Sequence, residues 1–283
     1  MTIGRITVAG LTGAAAAVAA VMLEWSLSPA TAQQSGGAEP QSAQRPVVGI
    51  MQGRSAAPRM PRFERANIAN GRAVVVGAAG AANPPTGSSQ ALPCFSCHGL
   101  HGAGDGTGAF PRLSGQPAFY LYKQLVDYAS GARPNDVMTP IAQALSQAEM
   151  EDVAAFYAAQ RGAPAFPPAQ PDPLVLQQGG VLSAVGSAEK GIPACVNCHG
   201  PQGRGLPPSF PYLAGQYALY TELQLQLWQQ GQRGNDPLDV MADIAGRMSP
   251  EDIRGVAAYF AAMPPPGAAV ASPAGAPGAS PPR

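Results

Sequence analysis

A chain of 283 residues holds one or two domains once its ends are set aside. Lysine plus arginine and aspartate plus glutamate number 17 each, and no basic run is present to track a phosphate backbone, which excludes a nucleic-acid binder. The 34 glycines and 31 prolines point to a loop-rich fold with unstructured ends.

The N-terminus reads as an export signal. Arg5 precedes an apolar, Ala-rich run from Ile6 to Leu23, and Ala30-Thr31-Ala32 forms a small-x-small cleavage site. Residues 1–32 are therefore expected to be a signal peptide, which implies a periplasmic protein. The alternative is an uncleaved anchor in the inner membrane, facing the periplasm, since the run approaches the roughly 20 residues a spanning helix needs. Residues 33–62 are polar and aperiodic, as a flexible linker would be. A first domain is expected over 63–161, a Pro-rich linker over 162–173, a second domain over 174–263 and a disordered tail over 264–283.

The chain carries Cys94-Phe95-Ser96-Cys97-His98 and Cys195-Val196-Asn197-Cys198-His199. These runs contain all four cysteines and two of the three histidines. Cys-x-x-Cys-His is the attachment signature of c-type haem: two thiols add across the porphyrin vinyl groups, and the adjacent imidazole ligates iron from one face. A redox disulfide or a zinc site can also use Cys-x-x-Cys, but neither accounts for a histidine after both copies. Two covalently bound c-type haems are the expected cofactors, with Cys94, Cys97, Cys195 and Cys198 as attachment points and His98 and His199 as iron ligands. Attachment on the far side of the bacterial inner membrane agrees with the export signal.

An internal repeat organises the rest. Cys94 and Cys195 lie 101 apart, and later features return at an offset of 100: Phe110-Pro111 and Phe210-Pro211, Gly115-Gln116 and Gly215-Gln216, Tyr120 and Tyr220, Asn135-Asp136 and Asn235-Asp236. Upstream, Gly71 to Gly77 resembles Gly180 to Gly186. Each unit reads as mostly helical, giving an all-α fold of two tandem haem domains. Residues 117–130 and 217–230 have helix length and end at Gly131 and Gly231, which suit left-handed caps. Ser146 with Glu149 forms a capping box, and Ser249, Pro250 and Asp252 open the matching helix. Met150, Val153 and Tyr157 share one face of the first of these helices, as Ile253, Val256 and Phe260 do on the second.

The sixth iron ligand separates carriers from catalytic haems. The third histidine, His101, lies three residues past His98 in a Gly-rich loop and cannot readily reach the opposite ring face, so it reads as a surface residue. Met138 lies 41 residues after Cys97 and Met241 lies 43 after Cys198, each 15 residues before the matched Val153 and Val256. Both are expected in the loop after the middle helix as axial ligands. Met150 and Met248 fail the repeat test and read as core. Thioether favours reduced iron, and a six-coordinate iron leaves no open position for substrate.

Taken in order, Cys94 to Gly99, Pro111 to Gln116, Tyr120 to Leu125 and Gly131 to Met138, repeated as Cys195 to Gly200, Pro211 to Gln216, Tyr220 to Leu225 and Gly231 to Met241, resemble the dihaem class I cytochromes c of the cytochrome c-four kind. The resemblance covers about residues 65 to 262. It implies an all-α fold of two tandem cytochrome c-like haem domains, small and helical, with neighbouring haems and His/Met ligation at both irons. It further implies that the carbonyls of Pro111 and Pro211 accept a hydrogen bond from the ligating imidazoles. By the same resemblance Gln116, Tyr120, Gln216 and Tyr220 wall or hydrogen-bond the haem, with ordinary core packing as the alternative for the tyrosines.

The function expected is electron transfer, not catalysis. The donor would be a quinol-oxidising complex or a dehydrogenase, and the acceptor a terminal oxidase or other reductase. A stable cytochrome subunit of a dehydrogenase complex is the alternative. A dihaem peroxidase or thiosulfate-oxidising cytochrome would need a differently ligated iron, against which the matched methionines argue.

Overall fold

The computed structural model describes residues 61–77, 93–161, 163 and 171–267. The signal peptide, nearly all of the first linker, the loop before Cys94, and most of the second linker and the tail lie outside the described residues.

Among the described residues, each half contributes five α-helices in the same order. The first half has α1 (Ile68–Val76), α2 (Phe95–His98), α3 (Ala118–Ser130), α4 (Met138–Gln143) and α5 (Gln147–Ala159). The second has α6 (Pro173–Val185), α7 (Val196–His199), α8 (Ala218–Gln229), α9 (Val240–Gly246) and α10 (Pro250–Ala262). The described residues form no strand, only the isolated bridges Ser187–Ile192 and Leu206–Phe210.

Local chemistry accounts for the helix ends. Asn67 caps α1 and Asp172 caps α6, each side chain accepting a backbone N–H of the first turn. Both expected capping boxes close in both directions, Ser146 with Glu149 on α5 and Ser249 with Asp252 on α10. Gly131 terminates α3 at φ 78°, and Gly231 follows the end of α8 at φ 70°.

In each half the last helix packs against the first and against the long middle helix, while the middle helix also meets the short one. The crossing of first on last is close enough to demand glycine. A Cβ at Gly71 would lie 2.2 Å from the Asp152 carbonyl oxygen on α5, and one at Gly179 would lie 1.9 Å from that of Gly255 on α10. Packing therefore pairs Gly71 with Gly179, one residue away from the sequence match to Gly180. Two cores result. Met150, Val153 and Tyr157 are buried in the first, and Met248, Ile253 and Phe260 in the second.

Candidate haem-binding sites

The two sites are built alike. A single turn of helix carries each cysteine pair and ends in a buried histidine, α2 at His98 and α7 at His199. The chain then doubles back: Gly104 N–H donates to the His98 carbonyl and Gly205 N–H to that of His199. Gly102 and Gly203, at φ 71° and 70°, hold the returning strand of chain through two backbone bonds each. That return brings proline to the imidazole. His98 Nδ1 donates to the Pro111 carbonyl at 3.1 Å and His199 Nδ1 to the Pro211 carbonyl at 2.8 Å. Phe110 and Phe210 meet the same rings edge-on, with centroids 6.2 and 6.3 Å away.

These contacts decide the ring chemistry. With Nδ1 carrying the donated proton, Nε2 presents its lone pair for a metal. Burial lowers both histidine pKa values, partly offset by the proline carbonyls, so the rings stay neutral. Burial likewise pushes the Cys94 and Cys195 thiols up to about 11. The four cysteines are free of disulfides. Neutral imidazoles with a free Nε2, beside a paired set of thiols, fit a covalently attached haem.

Met138 opens α4 and Met241 is the second residue of α9. Both were expected in open loop; each instead begins a short helix whose start is fixed by a side chain. In the first half, Asn135 Oδ1 accepts from the Met138 and Val137 amides at 2.8 and 3.1 Å. In the second, Asp236 Oδ2 accepts from the Met241 and Ala242 amides at 2.6 and 3.1 Å, while its Oδ1 accepts from Trp228 Nε1 at 2.7 Å. The anchoring residue has moved one place along the repeated Asn-Asp pair because the 3-10 turn Pro237–Asp239 is inserted before Met241. Neither anchor was singled out from sequence, although the repeat marked both positions. Met241 and Cys195 pack against one core, and Cys94 packs against the other. Met138 and Met241 are half-buried. Met150 and Met248 are core residues, 6% and 7% exposed.

The other residues that the resemblance implied as haem neighbours make the following contacts. Tyr120 packs on the first core. Tyr220 accepts a hydrogen bond from Arg133 of the first half. Gln116 and Gln216 bind backbone in the opposite half, and Gln216 Oε1 also accepts from the Tyr217 amide of its own half at 3.1 Å. His101 is exposed and bonded to Gln160 Oε1 at 2.9 Å.

Residues 87–158 match the Cytochrome c family, and residues 189–260 match the family described as Cytochrome C oxidase, cbb3-type, subunit III. The chain is 35% identical over 182 residues to a cytochrome c4 of Pseudomonas aeruginosa, covering 64% of this chain and 88% of the relative. The chain belongs to the dihaem cytochrome c4 family. A reduced cytochrome c4 from Pseudomonas stutzeri superposes with a TM-score of 0.59 at 31% identity, over 70% of this chain and 99% of that one. A thiosulfate dehydrogenase electron acceptor of Stutzerimonas stutzeri is 47% identical over 182 residues, 64% of this chain and 82% of the relative. A thiosulfate dehydrogenase (TsdBA) from Marichromatium purpuratum gives a TM-score of 0.62 at 34% identity over 70% of this chain, but this chain spans only 40% of that one. Like the cytochromes c4, the protein is an electron carrier with two covalent c-type haems, and not an enzyme. No described helix is long and apolar enough to cross a membrane.

Proposed function

We propose that Cys94 and Cys97 hold one haem and Cys195 and Cys198 the other through thioether bonds. His98 and Met138 are the axial ligands of the first iron, His199 and Met241 those of the second. The observation that carries this reading is the matched pair of imidazole–proline hydrogen bonds, which leaves Nε2 available in both halves. When bound, haem supplies a one-electron couple at iron. The chain's own part is to orient the imidazoles through Pro111 and Pro211 and to fix the start of each methionine helix through Asn135 and Asp236.

The protein works in the periplasm, exported by residues 1–32 in the reading of the N-terminus given above, with an inner-membrane anchor as the alternative. Its electrons pass from a quinol-oxidising complex or a dehydrogenase to a terminal oxidase or other reductase. Between the two donors, thiosulfate dehydrogenase is favoured: relatives named as its electron acceptor are 47% and 41% identical, against 35% for the Pseudomonas aeruginosa cytochrome c4. Mixing the oxidised protein with thiosulfate dehydrogenase and thiosulfate tests this. Both haems should reduce within the enzyme's turnover time. Reduction by a quinol-oxidising complex but not by the dehydrogenase would reassign the donor.

A further inference from the structure

The two halves belong to one compact unit, and their seam is polar and reciprocal. Gln216 Oε1 accepts from the Arg112 amide at 2.9 Å, and Gln216 Nε2 donates to the Arg112 carbonyl at 3.0 Å. Gln116 Oε1 accepts from the Tyr212 amide at 3.2 Å, and Gln116 Nε2 donates to the Tyr212 carbonyl at 2.9 Å. Both glutamines are buried, 4% and 5% exposed. A backbone N–H must face oxygen and a backbone carbonyl must face nitrogen, so each amide has one permitted orientation.

The amide that Gln216 grips is half of a peptide group whose other half already has a task. The Arg112 N–H and the Pro111 carbonyl belong to one peptide unit, and that carbonyl accepts from His98 Nδ1. The same holds for the Tyr212 N–H and the Pro211 carbonyl, which accepts from His199 Nδ1. We infer that Gln216 is a positioning residue for His98 and Gln116 for His199, each acting on the imidazole of the opposite half through a single peptide group. This rests on His98 and His199 being the iron ligands.

The physical effect has a sign. An N–H that donates leaves more electron density on the oxygen of its own peptide, strengthening that oxygen as an acceptor. A stronger acceptor at Nδ1–H makes Nε2 a better donor to metal, which favours ferric over ferrous iron. Each glutamine therefore lowers the potential of the haem in the other half. The cross-wiring also ties imidazole orientation in one half to the packing of the seam.

The test is a set of single variants of the full haem-bearing protein. Each haem's reduction is followed potentiometrically and assigned through its histidine ring-proton resonance. Gln216→Met should shift the ferrous-to-ferric ratio of the first-half haem upward by about threefold at fixed ambient potential, or about 28 mV given 59 mV per tenfold for one electron. It should move the His98 Nδ1 proton resonance and leave that of His199 in place. Gln116→Met should do the reverse. Gln216→Glu, measured below the pH at which its carboxyl ionises, offers the same acceptor and donor and should restore the wild-type values. Equal shifts at both haems, or a shift confined to the glutamine's own half, would overturn the inference. Should the methionine variants fail to fold, the unmodified ferrous protein still decides. A scalar coupling across the hydrogen bond from the Arg112 amide nitrogen to the Gln216 side-chain carbonyl carbon should be present, and its absence is contrary. Loss of the underlying ligand assignment would show separately, as a wild-type protein lacking hydrogen-bonded imidazole resonances for His98 and His199.

Discussion

Thioether stabilises ferrous iron better than imidazole does, so the proposed ligands Met138 and Met241 set the carrier's potentials high. Met138→His should keep the first haem six-coordinate and lower its potential, and Met241→His should do the same for the second; single-haem redox titration reads both. Met248→Leu should leave both potentials in place, because Met248 is buried in the second core beside Ile253 and Phe260. Replacing Cys94 and Cys97 with alanine should remove one haem from the intact mass, and replacing Cys195 and Cys198 the other. At this scale most of the proposed site rests on the chain itself: a motif of fixed spacing names its own thiols and imidazole, and a repeat picks one methionine in each half. The anchors Asn135 and Asp236 could not, because the three-residue turn at Pro237–Asp239 shifts the task from the first to the second residue of the same dipeptide.

Helix ends and crossings are where the fold is won or lost at the next scale. Caps were legible because their chemistry is local: Ser146 with Glu149 and Ser249 with Asp252 need only four consecutive residues. Crossings were not, since a glycine that lets two helices touch looks like any helical glycine until its partner is known. Gly71→Ala or Gly179→Ala would drive a methyl into a backbone carbonyl, and each should lower stability in urea unfolding by about 1–3 kcal/mol. A pH signature belongs here too. Burial raises the Asp252 pKa, but hydrogen bonds from Lys190 and from Ser249 outweigh it and the net shift is downward. A carboxyl with a depressed folded pKa stabilises above its unfolded value of 3.8 and loses that contribution as pH falls through the folded one. Asp252→Asn should therefore melt lower than wild type at neutral pH, and the gap should close as thermal melts are taken below about pH 3.8.

Across the whole molecule, the seam ties two haem domains together with buried polar groups. Gln224 Oε1 accepts from Arg133 Nη2 at 2.6 Å and from Arg233 Nη1 at 2.7 Å, while each guanidinium lies over an aromatic ring, Tyr128 and Trp228 respectively. Gln224→Leu would take an acceptor from two buried cations, costing on the order of 1–3 kcal/mol and more where charge is involved. Chemical unfolding should be one transition in the wild type and separate into two in this variant, as the halves uncouple. The resemblance implied Gln116 and Gln216 as neighbours of the haem; their bonds to the opposite half were not foreseen. No pattern within one repeat can reveal that, because the partner backbone lies about a hundred residues away. Symmetry between the halves was visible in the chain; the surface along which they meet was not.

An anaerobic potentiometric titration of the wild-type protein, followed from the visible region to the far red with and without carbon monoxide, tests the central claim of a dihaem carrier with two closed irons. Two one-electron components should be resolved. Each should lose its weak sulfur-to-iron band in the far red on reduction, and carbon monoxide should leave the reduced spectrum unchanged. A single component, or a reduced haem that binds carbon monoxide readily, would contradict it.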